Sequence, residues 1–193
     1  FDMVFCKDAV GNRGRQMSAH LCDAERNILS IPGPVGNSGL QAVGIAEAIA
    51  NQPARPIVVC GIGDGSTQQG EFLESLGEAA RRQSPVLFFV EDNQWAISTS
   101  TAGKTFFSIG DQQPAEFHGI PIHHVDGRDV VSAIDALEPI VAGIRTQRRP
   151  QIVVFRVERL ASHTNADDHT IYRSAGDLQQ VANSGDVILR MEH

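Results

Sequence analysis

The sequence predicts an α/β fold, a mostly parallel central sheet with helices on both faces, from three observations. Pro56-Ile57-Val58-Val59-Cys60 and Pro85-Val86-Leu87-Phe88-Phe89-Val90 are short continuous apolar runs, the pattern of strands buried on both faces of a parallel sheet. Between them Phe72, Leu73, Leu76, Ala79 and Ala80 recur at helical spacing, and parallel strands must be joined by a crossover helix. A third apolar run, Ile152-Val153-Val154-Phe155, follows the amphipathic segment Asp129 to Arg145, which reads as a helix packed on the sheet.

Taken in chain order, the first element is the Gly- and Ala-rich segment Gly36 to Ala50. It is apolar on most faces, as expected of a helix packed tightly all round, against this domain or against a partner. After the strand Pro56 to Cys60 comes Ser66-Thr67-Gln68-Gln69, a capping box that places a helix start at Ser66. Arg81-Arg82 stand where cations suit the helix carboxyl end. In Ile120 to Val125, strand alternation sends His123 and His124 to opposite faces. Residues 1–193 are read as a single domain with a substantial core, 41% of residues being hydrophobic.

The chemistry lies where the first two strands end. Gly63-Asp64-Gly65-Ser66 closes the first run, and Asn93, just past the second, lies 29 residues after Asp64. In an open sheet both residues fall at the carboxyl ends of strands, where ligands bind. The glycines let the backbone come close to a ligand. The amides ahead of the helix suit a phosphate. An anionic and a neutral oxygen ligand, completed by phosphate oxygens and water, suit octahedral magnesium. The expected ligand is therefore a diphosphate with its metal. A dinucleotide site fails in detail: glycine recurs at every second position, Ser66 holds the sixth, and no acid lies about 20 residues on to hold a ribose.

Several ordered segments go further. Gly14-Arg15-Gln16-Met17, Gln41-Ala42-Val43-Gly44, Gly63-Asp64-Gly65, Asn93-Gln94-Trp95-Ala96-Ile97-Ser98, Val125-Asp126-Gly127 and Ser162-His163-Thr164-Asn165-Ala166-Asp167-Asp168 resemble the alpha subunit of the thiamine diphosphate-dependent decarboxylating component of 2-oxo acid dehydrogenase complexes. The branched-chain (2-oxoisovalerate) type is the closest match. The resemblance implies the thiamine diphosphate-binding fold and oxidative decarboxylation of a 2-oxo acid, with acyl transfer to a lipoyl group. Alternatives are a pyruvate or acetoin dehydrogenase alpha subunit and a non-catalytic cofactor-binding module. The cofactors implied are thiamine diphosphate and Mg2+. Carried over by position, Asp64, Asn93 and the Trp95 carbonyl would bind magnesium, and Gly65 and Ser66 would meet the diphosphate. Gly33, Pro34 and Val35 would hold the aminopyrimidine ring. In the family Asp64 is often Glu and Trp95 usually Tyr, and neither change removes the ligand oxygen. Where many relatives have a phosphate-binding Arg, this chain has Glu91, which is read as a strand-end carboxylate facing solvent or pairing with a cation.

His163 opens a polar loop, Ser162 to Thr170, directly after the third apolar run. Imidazole titrates near neutrality and serves as a proton donor or acceptor. By resemblance His163 lies near the cofactor's reactive carbon and assists reductive acylation of the lipoyl group. His163, Asp167, Asp168 and His169 are possible metal ligands, but four near-consecutive loop residues seldom supply a metal's geometry, so Asp167, Asp168, Tyr172 and Arg173 are expected instead to tie the loop together by charge-assisted hydrogen bonds. Thr164 stands where some relatives carry a regulatory phosphoserine.

The resemblance also implies partners: a beta subunit that supplies the acid activating the cofactor, in a heterotetramer of two alpha and two beta chains, and a lipoyl-bearing acyltransferase. It implies that residues 1–193 are a piece of a longer subunit with a helical amino-terminal region. A net charge of -7 argues against general nucleic-acid affinity. No apolar stretch approaches a membrane span. Cys6, Cys22 and Cys60 lack paired spacing, which favours a reducing compartment: the bacterial cytoplasm first, the mitochondrial matrix second.

Overall fold

A computed structural model describes residues 20–192. The Gly14 to Met17 segment and Cys6 lie outside the described residues. Helix α1 (Ser38–Ile49) leads into strand β1 (Val58–Gly63), helix α2 (Gly70–Arg82) and strand β2 (Val86–Asp92). Two short hairpins follow, β3 (Trp95–Ala96) with β4 (Thr99–Ser100), and β5 (Lys104–Thr105) with β6 (Ser108–Ile109). Then come β7 (Glu116–Phe117), β8 (Ile120–Asp126), α3 (Val130–Gln147), β9 (Gln151–Arg156), α4 (Ala175–Ser184) and α5 (Val187–Met191). The main sheet runs β1-β2-β9-β8-β7. Its first four strands are parallel, and β7 adds an antiparallel edge.

Alternation along β2 shows how the layers form. Phe88 and Val90 point with Cys60, Ile62, Ile152 and Val154 into a core closed by α1 and α2, through Ala42, Val43, Ala46, Phe72, Leu76 and Ala79. Leu87 and Phe89 point to the other face, where Val125, Val153 and Phe155 meet Ala133, Leu137, Ile140 and Ile144 of α3. At about 25 cal/mol per Å2 of apolar surface, each buried Phe, Leu or Ile contributes about 1.5–3 kcal/mol. The two-faced parallel sheet predicted from sequence is therefore present.

Three details differ from the sequence reading. β1 is an edge strand, not one buried on both faces: Cys60 and Ile62 are buried, but Val59 is 60% exposed because α3 lies over β2, β8 and β9 rather than β1. The capping box at Ser66 does not form. Asp64–Gln68 make a 3-10 turn, drawn tight by the Thr67 hydroxyl donating to the Asp64 carbonyl (2.6 Å), and α2 starts only at Gly70, behind an extended Gln69 with no side-chain cap. The amides of Gly65 and Ser66 thus open a short turn instead of α2 itself. Finally, this chain alone does not enclose α1 all round: Gly39, Ala42, Val43 and Ala46 are buried while Leu40, Gln41, Gly44 and Ala48 face out, the side that the expected partner would cover.

Elsewhere the sequence and the structure agree. Arg81 and Arg82 close α2 and pair with Glu78, with Gln83 in the left-handed region as C-cap. Asp129 caps α3 through the Ser132 amide (3.1 Å). His123 bonds Gln151 of β9 (2.8 Å), whereas His124 is exposed. One apolar residue of α3, Ile134, differs from this agreement in being 58% exposed.

Candidate functional site

Parallel pairing places the first two candidates side by side. Gly63 is in register with Glu91, so Asp64 and Asn93 emerge from adjacent strands at the carboxyl end of the sheet. β9 ends beside them: Asp92 is in register with Arg156, and the Val157 amide donates to the Asp92 carbonyl (3.0 Å).

Beyond β2 the chain turns sharply under side-chain control. The Asp92 carboxylate accepts from the Gln94 amide (3.0 Å) and the Asn93 side-chain oxygen from the Trp95 amide (2.9 Å). Gln94 takes φ 63°, which Asn, Asp and Gly adopt more readily than other residues. The β3–β4 hairpin then folds back over the 64–68 turn. A Cβ on Gly65 would stand 2.5 Å from the Ala96 Cβ, so only glycine allows this approach. At the hairpin's far end the Thr101 hydroxyl donates to the Asp64 carboxylate, and the Thr101 amide donates to the Gln94 carbonyl (3.0 Å).

Asp64 is 2% exposed. Among the described residues no Lys, Arg or His forms an ion pair with it, and a buried carboxylate without a counter-charge is costly. Beside it, burial raises the Asp92 carboxyl above the ordinary range, and the Asp64 charge adds to this, against the Gln94 amide, which lowers it. Thr105, on the neighbouring hairpin, is 3% exposed with a hydroxyl that finds no partner among the described residues. The Asp64 carboxylate is therefore left without a paired cation among the described residues, although Arg156 stands beside Asp92. One carboxylate, one amide oxygen and backbone carbonyls form a hard-oxygen donor set suited to Mg2+ or Ca2+. A divalent cation with its anionic ligand fits.

The other predicted segments reach the same end. Gly33, Pro34 and Val35 are exposed just before α1. The next residue, Gly36, has φ 85°, and a Cβ there would lie 2.7 Å from the Gln69 Cβ, which seats this loop against the end of the 64–68 turn. Ser66 lies half-buried within that turn. Glu91 is exposed, as expected of a strand-end carboxylate.

His163 exposes its side chain while its amide donates to Asp167 (2.8 Å). Tyr172 donates to the same Asp167 oxygen (2.6 Å) and accepts from Arg159 (2.7 Å), which also donates to the Ile97 carbonyl (3.0 Å). The Tyr172 hydroxyl, and after it the His163 amide, hold the Asp167 carboxyl below its ordinary range. The Tyr172 ring lies 5.5 Å from that of Trp95, and the Arg173 guanidinium 5.6 Å from it. The loop is thus fastened to the hairpin that follows Asn93. Asp168 also ties the loop within itself, accepting from the Thr170 hydroxyl (2.7 Å), whereas Arg173 pairs with Asp177 (2.6 Å) outside the loop and donates to the Arg159 carbonyl (2.9 Å). Sequence reasoning missed Thr101, Asp92 and Arg159, none of which carries a spacing signal. Among the described residues no group of three or more His, Cys, Asp and Glu could hold a metal, and no helix is long and apolar enough to cross a membrane.

Comparison with known proteins identifies the family and relatives of this chain. Residues 3–193 match the family described as Dehydrogenase E1 component. The chain is 31% identical over 180 residues to 2-oxoisovalerate dehydrogenase subunit alpha 1, mitochondrial, of Arabidopsis thaliana, covering 91% of this chain and 38% of that one. It is 29% identical over 195 residues to the 2-oxoisovalerate dehydrogenase subunit alpha, mitochondrial, of Homo sapiens, covering 98% and 44% respectively. It is 35% identical over 150 residues to the 3-methyl-2-oxobutanoate dehydrogenase subunit alpha of Mycobacterium tuberculosis, covering 77% and 40%. The chain thus spans about two fifths of the length of these relatives.

Proposed function

Because the chain belongs to the dehydrogenase E1 component family, which is thiamine diphosphate-dependent, we propose that it is the cofactor-binding part of an alpha-type subunit of a 2-oxo acid dehydrogenase. Its substrate is a branched-chain 2-oxo acid, the reading that the names of its relatives support. The observation that carries this reading is the buried Asp64 carboxylate, unpaired with any described basic side chain and roofed by the hairpin that begins beside Asn93.

Asp64, Asn93 and the Trp95 carbonyl would hold Mg2+, and the amides of Gly65 and Ser66 would receive the diphosphate. Gly33, Pro34 and Val35 would line the aminopyrimidine end. When bound, thiamine diphosphate supplies the electron sink for decarboxylation, and the protein supplies placement and proton transfer. His163, with its backbone pinned by Asp167 and its side chain exposed, would donate and accept a proton near the reacting carbon. The acid that activates the cofactor comes from a beta chain in an assembly of two alpha and two beta chains, and the acyl group passes to a lipoyl-bearing acyltransferase. His163 and the hairpin therefore work at a junction between chains.

Turnover tests this reading. The complete subunit, assembled with its beta partner, is supplied with a panel of 2-oxo acids and an artificial electron acceptor. Branched-chain 2-oxo acids are expected to give the highest kcat/KM. A preference for pyruvate moves the assignment to pyruvate or acetoin dehydrogenase, and no turnover of any 2-oxo acid despite bound cofactor reduces the chain to a binding module.

A further inference from the structure

We propose that Thr101 biases which divalent cation the site takes, by engaging one oxygen of the Asp64 carboxylate and fixing its orientation. The proposal deepens the metal-diphosphate reading above and rests on it. Thr101 is buried, and its backbone is fixed at both ends: its amide donates to the Gln94 carbonyl (3.0 Å) and its carbonyl accepts from the Lys104 amide (3.0 Å). A hydroxyl has one hydrogen to give. Thr101 gives it to Oδ2 of Asp64, across 37 residues of sequence, and no other described side chain donates to that carboxylate, the Thr67 hydroxyl bonding the Asp64 backbone carbonyl instead. The other carboxylate oxygen, Oδ1, is left for a cation.

A carboxylate oxygen that accepts a hydrogen bond keeps a second lone pair, but the bond draws on its electron density and favours coordination through the other oxygen. That arrangement suits Mg2+, which takes six ligands in a tight octahedron. Ca2+ takes six to eight ligands at longer distances and readily uses both oxygens of one carboxylate. The Thr101 hydroxyl thus favours the smaller ion in two ways. It fixes the orientation of the carboxylate, and it competes for the oxygen that a bidentate contact would need. Thr101 is a positioning residue, acting on the ion through Asp64.

The test measures thiamine diphosphate binding to the complete subunit, assembled with its partner, by calorimetry at rising Mg2+ or rising Ca2+. Wild type, Thr101→Val, Thr101→Ser and Asp64→Ala are compared. Thr101→Val is expected to weaken the Mg2+-supported binding by about tenfold, the worth of one hydrogen bond to a charged group. Ca2+-supported binding should fall less, shifting the ion preference toward Ca2+, and Thr101→Ser should restore the wild-type preference. An unchanged ratio in Thr101→Val, with Asp64→Ala still losing metal-dependent binding, overturns the role of Thr101 and leaves the metal site standing. No metal-dependent binding by the wild type overturns both. If Thr101→Val does not fold, Thr101→Cys keeps the volume with a weaker donor; it should show a smaller shift in the same direction, and a wild-type ratio there counts against the proposal.

Discussion

Replacing Gly65 by Ala puts a Cβ 2.5 Å from the Ala96 Cβ and 3.0 Å from its Cα. Carbon atoms rest about 3.5–4.0 Å apart, so the turn and the hairpin must separate by about 1 Å. Ala96 has no side-chain torsion to absorb the clash, and its strand is paired, Ala96 opposite Thr99. Overpacking of this kind costs about 1–3 kcal/mol, and for a chain of this size that lowers Tm by about 2–12 °C. The hairpin also carries Trp95, next to Ala96. Strain that the free protein relieves by moving the hairpin away must be reimposed on binding, raising Kd about tenfold for each 1.4 kcal/mol. Thermal melts and calorimetry with thiamine diphosphate and Mg2+ measure the two effects. Adding Ala96→Gly removes the closest contact and should recover most of both, which a double-mutant cycle quantifies. Wild-type Tm together with wild-type affinity in Gly65→Ala would refute the claim that turn and hairpin meet this closely.

Three further outcomes are expected. Asp92 has a raised folded-state pKa, chiefly through burial; its contribution is full below the unfolded value and is lost as pH rises through the folded one. Asp92→Asn, which still accepts from the Gln94 amide, should therefore raise the Tm of the metal-free protein at pH about 7 but hardly at pH about 3, and an equal gain at both would contradict the assigned cause. Tyr172→Phe keeps the ring beside Trp95 but removes the hydroxyl between Asp167 and Arg159; amide exchange at His163 should quicken with little change in Tm, and unaltered protection would show that the loop is held otherwise. His163→Ala should keep cofactor affinity and lose lipoyl acylation; acylation at the wild-type rate would remove His163 from the chemistry.

The strands were legible because continuous apolar runs have few other uses, but the runs alone do not distinguish an edge from a centre. Val59 looks like its neighbours in sequence and differs only in having no helix above it. The start of α2 was misplaced because Ser66 to Gln69 satisfies a local capping rule, whereas the structure spends the Thr67 hydroxyl on the Asp64 carbonyl instead. At the site, Asp64 and Asn93 were legible from their spacing, since adjacent parallel strands fix where both emerge. Thr101 and Arg159 were not. Their roles are contacts spanning 37 and 62 residues, and neither residue type signals such a contact in advance.

Calorimetric titration of the complete subunit, with its partner chain present, addresses the site itself: thiamine diphosphate is added with Mg2+ or with a chelator, to wild type and to Asp64→Ala. Binding should require the metal in the wild type and be lost in Asp64→Ala, whose melting temperature stays close to that of the wild type. Metal-independent binding, or Asp64→Ala binding as tightly as the wild type, would contradict the placement of a diphosphate-bound cation between Asp64 and Asn93.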